Sequence, residues 1–148
     1  MGKAGRFAGL LIIALAVAFM GGCGSNTGPE EDLPLKGPTW VLYSYGSVGY
    51  ESRVQGSTLG IEIDFGDQGT LTGFTGCNSF SAQYVLSTEG DLTVSDIVGP
   101  PGICDEPLMT YERDMYYALT NLSGYTIEGS RLRLFYDNGS RNFVFDGR

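Results

Sequence analysis

Histidine is absent from this 148-residue chain. Its absence removes the Ser-His-Asp and Cys-His arrangements, the usual zinc ligands and the commonest general base, and it is the strongest argument in the sequence against an enzyme. Positive charge is scarce as well. Nine Lys and Arg stand against 17 Asp and Glu, for a formal charge of −8 and a pI near 4.3. No stretch of sequence clusters the nine, so the chain lacks the basic run that neutralises phosphates, and no nucleic-acid partner is expected. No cofactor and no metal are expected either. Glycine is plentiful, with 23 residues, and so are aromatics, with nine Tyr and eight Phe beside one Trp. That balance favours a turn-rich β protein over a helical bundle. The length suits one domain with one core.

Charge is missing altogether from residues 7–20, FAGLLIIALAVAFM, a run of 14 preceded by Lys3 and Arg6 and no acid. The run is short for a membrane span and suits the apolar region of a secretory signal. Gly21, Gly22 and Cys23 come next, and they resemble the lipobox of bacterial lipoproteins, whose cysteine is lipidated on sulfur and becomes the mature N-terminus. The resemblance implies a signal peptide over residues 1–22 and acyl chains on Cys23. An ordinary cleaved signal and a retained anchor are the alternatives. Acyl chains contribute about 0.8 kcal/mol per buried methylene, so two or three moor a protein almost permanently. Loss of Lys3 and Arg6 takes the formal charge from −8 to −10, which leaves the anchoring to lipid rather than to attraction for anionic headgroups. From Cys23 to Gly37 the chain is polar, acidic and broken by prolines, and reads as a flexible tether. Gly24 stands after the cysteine, not the aspartate that resembles an inner-membrane retention signal. In a Gram-negative host the periplasmic face of the outer membrane is therefore the expected location, and otherwise the outer face of the cell membrane.

The domain is expected over residues 38–148. Strands are predicted at residues 38–45, 61–65, 70–72, 81–87, 92–97, 125–128, 131–136 and 141–146, each from alternation of apolar and polar side chains between turn residues. Residues 46–60 have no sustained period and read as a loop with room for a short edge strand. One helix is predicted over residues 105–122, capped by Asp105, with Pro107 in its first turn and Gly124 as a left-handed C-terminal cap. Leu108, Met115, Leu119 and Leu122 form its apolar stripe, widened by Met109 and Tyr116. The fold class is α+β, mainly β: a strongly curved antiparallel sheet of about eight strands packed around one helix.

The stretch around TLTGFTGCNSFSAQY, residues 70–84, is the least generic. Gly73 and Gly76 permit backbone angles or close approaches that a β-carbon would forbid, and Asn78 holds a sharp corner through backbone hydrogen bonds. Residues 73–78 are read as a crossover or bulge that re-aims the chain, with Cys77 inside it. A structural corner outweighs a catalytic role for Cys77, which has no histidine to activate it. If lipid consumes Cys23, Cys77 and Cys104 remain as an even pair in an oxidising compartment, and a disulfide between them is predicted. Glu112 falls inside the apolar stripe of the helix. A carboxylate there needs hydrogen bonds, expected from backbone N–H groups, those of the glycine corner among them. A general-base role lacks a second titrating partner.

Thr39-Trp40-x-Leu42, Gly73-x-x-Gly76-Cys77-Asn78-x-Phe80, Cys104 before a helix, Glu112 with Leu119 inside it, and Tyr125-x-Ile127-x-Gly129-x-x-Leu132-x-Leu134 together resemble the META/HslJ-like domain family over about residues 37–145. Residues 99–103, GPPGI, depart from it where a threonine and methionine are common. The resemblance implies a small curved sheet on a helix, in envelope lipoproteins linked with heat stress and antibiotic tolerance, with no catalytic residues to carry over. The fold also looks like that of secretion pilot lipoproteins, which hold a hydrophobic tail. Two readings result: a non-catalytic lipoprotein whose partner is an envelope protein, or a module binding an acyl chain or apolar peptide in a cleft lined by Trp40, Phe74, Phe80 and Tyr116.

Overall fold

The computed structural model describes residues 31–100 and 102–148. The expected signal peptide, Cys23 and the first part of the tether lie outside the described residues. Nine strands form one sheet: β1 (Thr39–Ser47), β2 (Tyr50–Arg53), β3 (Glu62–Phe65), β4 (Thr70–Phe74), β5 (Ser79–Leu86), β6 (Leu92–Val98), β7 (Leu122–Glu128), β8 (Arg131–Tyr136) and β9 (Arg141–Gly147). Among the described residues a single α-helical turn, α1 (Gly56–Leu59), a 3-10 turn at Asp67–Gly69 and one long helix, α2 (Leu108–Thr120), accompany the sheet. Every pairing is antiparallel. The order is β6-β5-β4-β3-β1-β9-β8-β7, with β2 added beside β1. The eight-strand path curls into a half-barrel, and α2 lies against β6, β8 and β9.

Register explains which side chains face the helix. Trp40 pairs with Ile63, Ile63 with Gly73, and Gly73 with Phe80. Opposed residues share a face, so these four form one row on the inner side. Leu42, Phe145, Leu132 and Ile127 form another. Trp40, Leu42, Ile63, Leu71, Leu132, Leu134, Tyr136, Phe143 and Phe145 are fully buried there, with Met115 and Leu119 of α2 above them. Each such burial stabilises by about 1.5–3 kcal/mol.

The alternation that marks β1 is interrupted. The pairing with β9 slips between Leu42 and Ser44, so Tyr43 is an extra residue bulged outward and Tyr45 returns to the inner side, stacked on Phe143 at 4.9 Å. A bulge of this kind adds one residue to one strand and flips the face of every residue beyond it.

Four expectations need correction. The helix starts at Leu108 with Pro107 in the capping position and no side-chain cap, rather than at Asp105, and it ends at Asn121 rather than at a Gly124 cap. Leu122 and Gly124 belong to β7 because Leu122 pairs with Tyr136 and Gly124 with Phe135. Sheet hydrogen bonds there replace the last helical turn, and Ala118 joins Met115 and Leu119 in the buried stripe. Residues 73–78 are not a crossover: β4 and β5 are consecutive neighbours joined by the hairpin loop of Thr75 to Asn78, and Gly73 lies inside β4. The last part of the expected tether is docked. Asp32 accepts the Gly129 N–H at 2.6 Å, the Leu33 N–H donates to the Gly129 carbonyl at 2.8 Å, and Leu35 is buried with its carbonyl accepting the Trp40 indole N–H at 2.8 Å.

Candidate functional site

The hairpin loop between β4 and β5 meets α2 at the best-defined polar cluster of the domain. Thr75 is fully buried and acts as its hub. Its hydroxyl oxygen accepts the backbone N–H groups of Asn78 at 3.0 Å and Cys77 at 3.3 Å, and its proton goes to Glu112 Oε2 at 2.7 Å. Asn78 Nδ2 approaches both oxygens of Glu112, at 3.0 and 3.2 Å, as well as the Gly102 carbonyl at 3.3 Å. The buried carboxylate is therefore satisfied by two side chains of the loop. The expectation that backbone N–H groups would reach it is corrected: Thr75 takes those groups for itself and presents its own proton instead. Hydrogen bonds to a charged acceptor contribute about 1.5–3 kcal/mol each, enough to hold a carboxylate inside a protein.

The sulfurs of Cys77 and Cys104 lie at disulfide distance with their Cα atoms 5.9 Å apart, and the bridge ties the same loop to the segment before α2. That segment is shaped around the cluster. A β-carbon on Gly102 would strike the Asn78 amide, and one on Gly99 would come within 2.8 Å of the Tyr116 hydroxyl. The glycines of GPPGI are thus matched to their neighbours. Gly76 turns the loop with φ +88°, and Gly73 leaves room for the Phe80 ring, which would lie 2.6 Å from an added β-carbon.

Tyr116 packs edge-on to Phe80 at 5.4 Å, and its hydroxyl is buried with no hydrogen-bond partner among the described residues. Burial first, and the nearby charge of Glu112 second, push its pKa up to about 12. Trp40, Phe74, Phe80 and Tyr116 do not line one cleft. Trp40 is sealed beneath Gly147, where a β-carbon would lie 2.8 Å from the indole. Phe74 follows Gly73 in β4 and so points to the outer face, away from Phe80 and Trp40. The apolar surface proposed for a ligand is split between the packed core and the opposite side of the sheet.

In chemical terms, Cys77 is engaged with Cys104, and Glu112 faces Thr75 and Asn78. Among the described residues no group of three or more Cys, Asp or Glu side chains is gathered as for a metal ion. Thr75 is the residue that sequence reasoning missed. Its signal was present as Thr75-x-x-Asn78, a hydroxyl three residues before an asparagine in a tight turn.

A half-barrel of antiparallel strands curled on one long helix, with a cysteine-bearing hairpin loop clasped to that helix, defines a small class of β-rich domains. The chain belongs to the META domain family, whose model matches residues 33–146. Among solved structures it is similar to a protein from Burkholderia xenovorans determined by NMR, at 24% identity and a TM-score of 0.62, over 77% of this chain and 83% of that one. It is also similar to a DUF4847-family protein from Bacteroides vulgatus, at 14% identity and a TM-score of 0.57, over 73% of this chain and 90% of that one. At these identities the likeness is one of fold. No curated protein matches the chain.

Proposed function

We propose that this protein is a non-catalytic envelope lipoprotein, moored by acyl chains on Cys23, whose META domain serves as a structural or stress-related interaction module. The observation that carries the reading is the fate of its chemically capable groups. Glu112, Thr75 and Asn78 bond to one another, and Cys77 meets Cys104, so each is held in a structural role. The charge-free run of residues 7–20 followed by Gly21-Gly22-Cys23 supports the anchor. On this reading the partner is another envelope component, met while the domain stays within tether length of the bilayer.

The experiment is native mass spectrometry of the protein purified from its own envelope, with intact-mass analysis of the denatured chain. A mature mass that begins at Cys23 and carries acyl chains, with a co-purifying envelope protein, is the expected result. A Cys23→Ala chain should remain unprocessed and unacylated. A mature chain that starts elsewhere and carries no lipid would overturn the anchoring, and a retained acyl chain or apolar peptide in place of a protein partner would favour a carrier role.

A further inference from the structure

The bulge in β1 creates a feature that neither the loop cluster nor the anchor uses. Tyr43 is turned onto the outer face, where guanidinium groups approach its ring from β2 and β8, which lie on opposite sides of β1. The Arg53 and Arg131 carbons each stand 4.5 Å from the ring centroid. Register extends the cluster: Arg53, Ser44, Val144 and Arg133 share one row of the outer face, and Val41, Asp146 and Arg131 share the next. Val41, Ser44 and Val144 are buried although they point away from the core, so this side of the sheet carries a second packed layer. Aromatic contact with a guanidinium contributes about 0.5–2 kcal/mol and offsets part of the repulsion between two like charges.

These arginines stand out against a polarised chain. No Lys or Arg occurs between Arg53 and Arg113, a stretch that builds β3 to β6 and carries nine acids. Arg131 is paired with Asp146 at 2.8 Å, Arg133 with Glu51 at 3.8 Å and Arg148 with Glu62 at 3.1 Å. Arg53 makes no ion pair among the described residues. Beside it opens a pocket of about 340 Å³ lined by Tyr43, Arg53, Gln55, Thr58, Asp146 and Arg148. Two arginines, a threonine and a glutamine around one cavity, with the carboxylate of Asp146 already held by Arg131 at 2.8 Å, match an oxyanion of phosphate size.

We propose that the pocket beside Tyr43 binds a phosphate group, with Arg53 and Arg148 as its cationic contacts and Thr58 and Gln55 as hydrogen-bond donors, and that a phospholipid headgroup supplies it. The lipid source rests on the anchoring proposed above; the pocket itself does not. Asp32 and Leu33 bond to Gly129, two residues from Arg131, so the chain leading back to Cys23 leaves the domain near this face. The nine steps of chain from Cys23 to Asp32 can span at most about 30 Å, which keeps bilayer phosphates within range of Arg53. A face that carries the unpaired arginine would turn toward the membrane while the acidic strands turn away.

The test tracks the arginine side-chain resonances of the full chain, held in maltoside micelles, by NMR. Inorganic phosphate should shift Arg53 and Arg148 saturably, sodium chloride at the same ionic strength should not, and Arg53→Gln should weaken the response at least about tenfold. An absent or non-saturable shift overturns the site. Transfer of the same chain to phosphatidylglycerol vesicles should reproduce the Arg53 shift, and vesicles of a phosphate-free galactolipid should not. A response to free phosphate without one to phospholipid overturns the lipid source and makes a soluble phosphate the ligand. Intact mass of the same sample reads Cys23 separately: an unacylated chain that still binds phosphate would sink the anchor and spare the pocket.

Discussion

Replacement of Glu112 by Gln keeps the shape of the buried side chain and exchanges one acceptor for a donor. The carboxylate accepts hydrogen bonds from the Thr75 hydroxyl at 2.7 Å and from the Asn78 amide at 3.0 and 3.2 Å. If the Gln oxygen takes the place of Oε2 it keeps Thr75 and the 3.0 Å contact with Asn78, but its amide then stands where Oε1 lay 3.2 Å from the Asn78 amide, donor against donor. If the oxygen faces Asn78, the amide points at a Thr75 hydroxyl whose lone pairs already accept two backbone N–H groups. Either orientation loses one charge-assisted hydrogen bond, worth about 1.5–3 kcal/mol. The Thr75 proton has a fallback acceptor in the Asn78 carbonyl at 3.1 Å, which places the expected loss toward the lower end. Urea unfolding monitored by the fluorescence of Trp40, the single tryptophan, reports it, with the Cys77–Cys104 bridge kept oxidised in every sample. A loss of about 2 kcal/mol should move the midpoint by roughly 1–2 M at an unchanged slope. Glu89→Gln, on the surface, serves as the control. If Glu112→Gln matched that control within about 0.5 kcal/mol, the carboxylate would not be holding the loop to the helix.

Gly73→Ala should destabilise by about 1–3 kcal/mol through overpacking, since its β-carbon would lie 2.6 Å from both the Glu62 carbonyl and the Phe80 ring; thermal unfolding reads it. Reduction of the Cys77–Cys104 pair, whose sequence separation is 27, should cost about 3.5 kcal/mol in the chain-entropy account, measured as the difference in urea stability with and without reductant. With no histidine, stability should stay flat between about pH 6 and 8. At alkaline pH it should fall: Tyr116 ionises at about 12 when folded and near 10.0 when unfolded, so the folded state retains a proton the unfolded chain releases, and stability present below pH 10 is lost as pH climbs toward 12. Burial raises Tyr45 and Tyr136 in the same direction, and Tyr116→Phe should remove part of the slope.

Strand content was legible wherever one face is buried and the other wet, as in β3, β5 and β8, because the period of two is written directly into residues such as Ile63 and Phe65 or Leu132 and Leu134. The bulge at Tyr43 was not, since its residues alternate normally and only the partner strand reveals the slip. β2 and α1 are too short to show a period. The end of α2 misled for a related reason. Leu122 continues the helical stripe, and the competing hydrogen bonds to Tyr136 come from a strand 14 residues further on. At the candidate site, Gly73, Gly76, Asn78 and Glu112 were visible as oddities of residue type, whereas Thr75, inside the stretch read as a crossover or bulge, carried no oddity that singled it out. The arginine cluster was invisible because Arg53 lies far in sequence from Arg131 and Arg133 and meets them only through register. The aromatic cleft failed through parity: Phe74 and Phe80 are six residues apart, but the hairpin between them places them on opposite faces.

The central claim is that Glu112 is a structural clasp between α2 and the hairpin loop rather than a group held ready for reaction, and a double-mutant cycle of Thr75→Val and Glu112→Ala tests it most directly. The two side chains share their shortest hydrogen bond, so the losses should be non-additive, with a coupling of at least about 1 kcal/mol in urea stability. Losses that add to within about 0.3 kcal/mol would mean that hydroxyl and carboxylate do not hold each other, and would contradict the account.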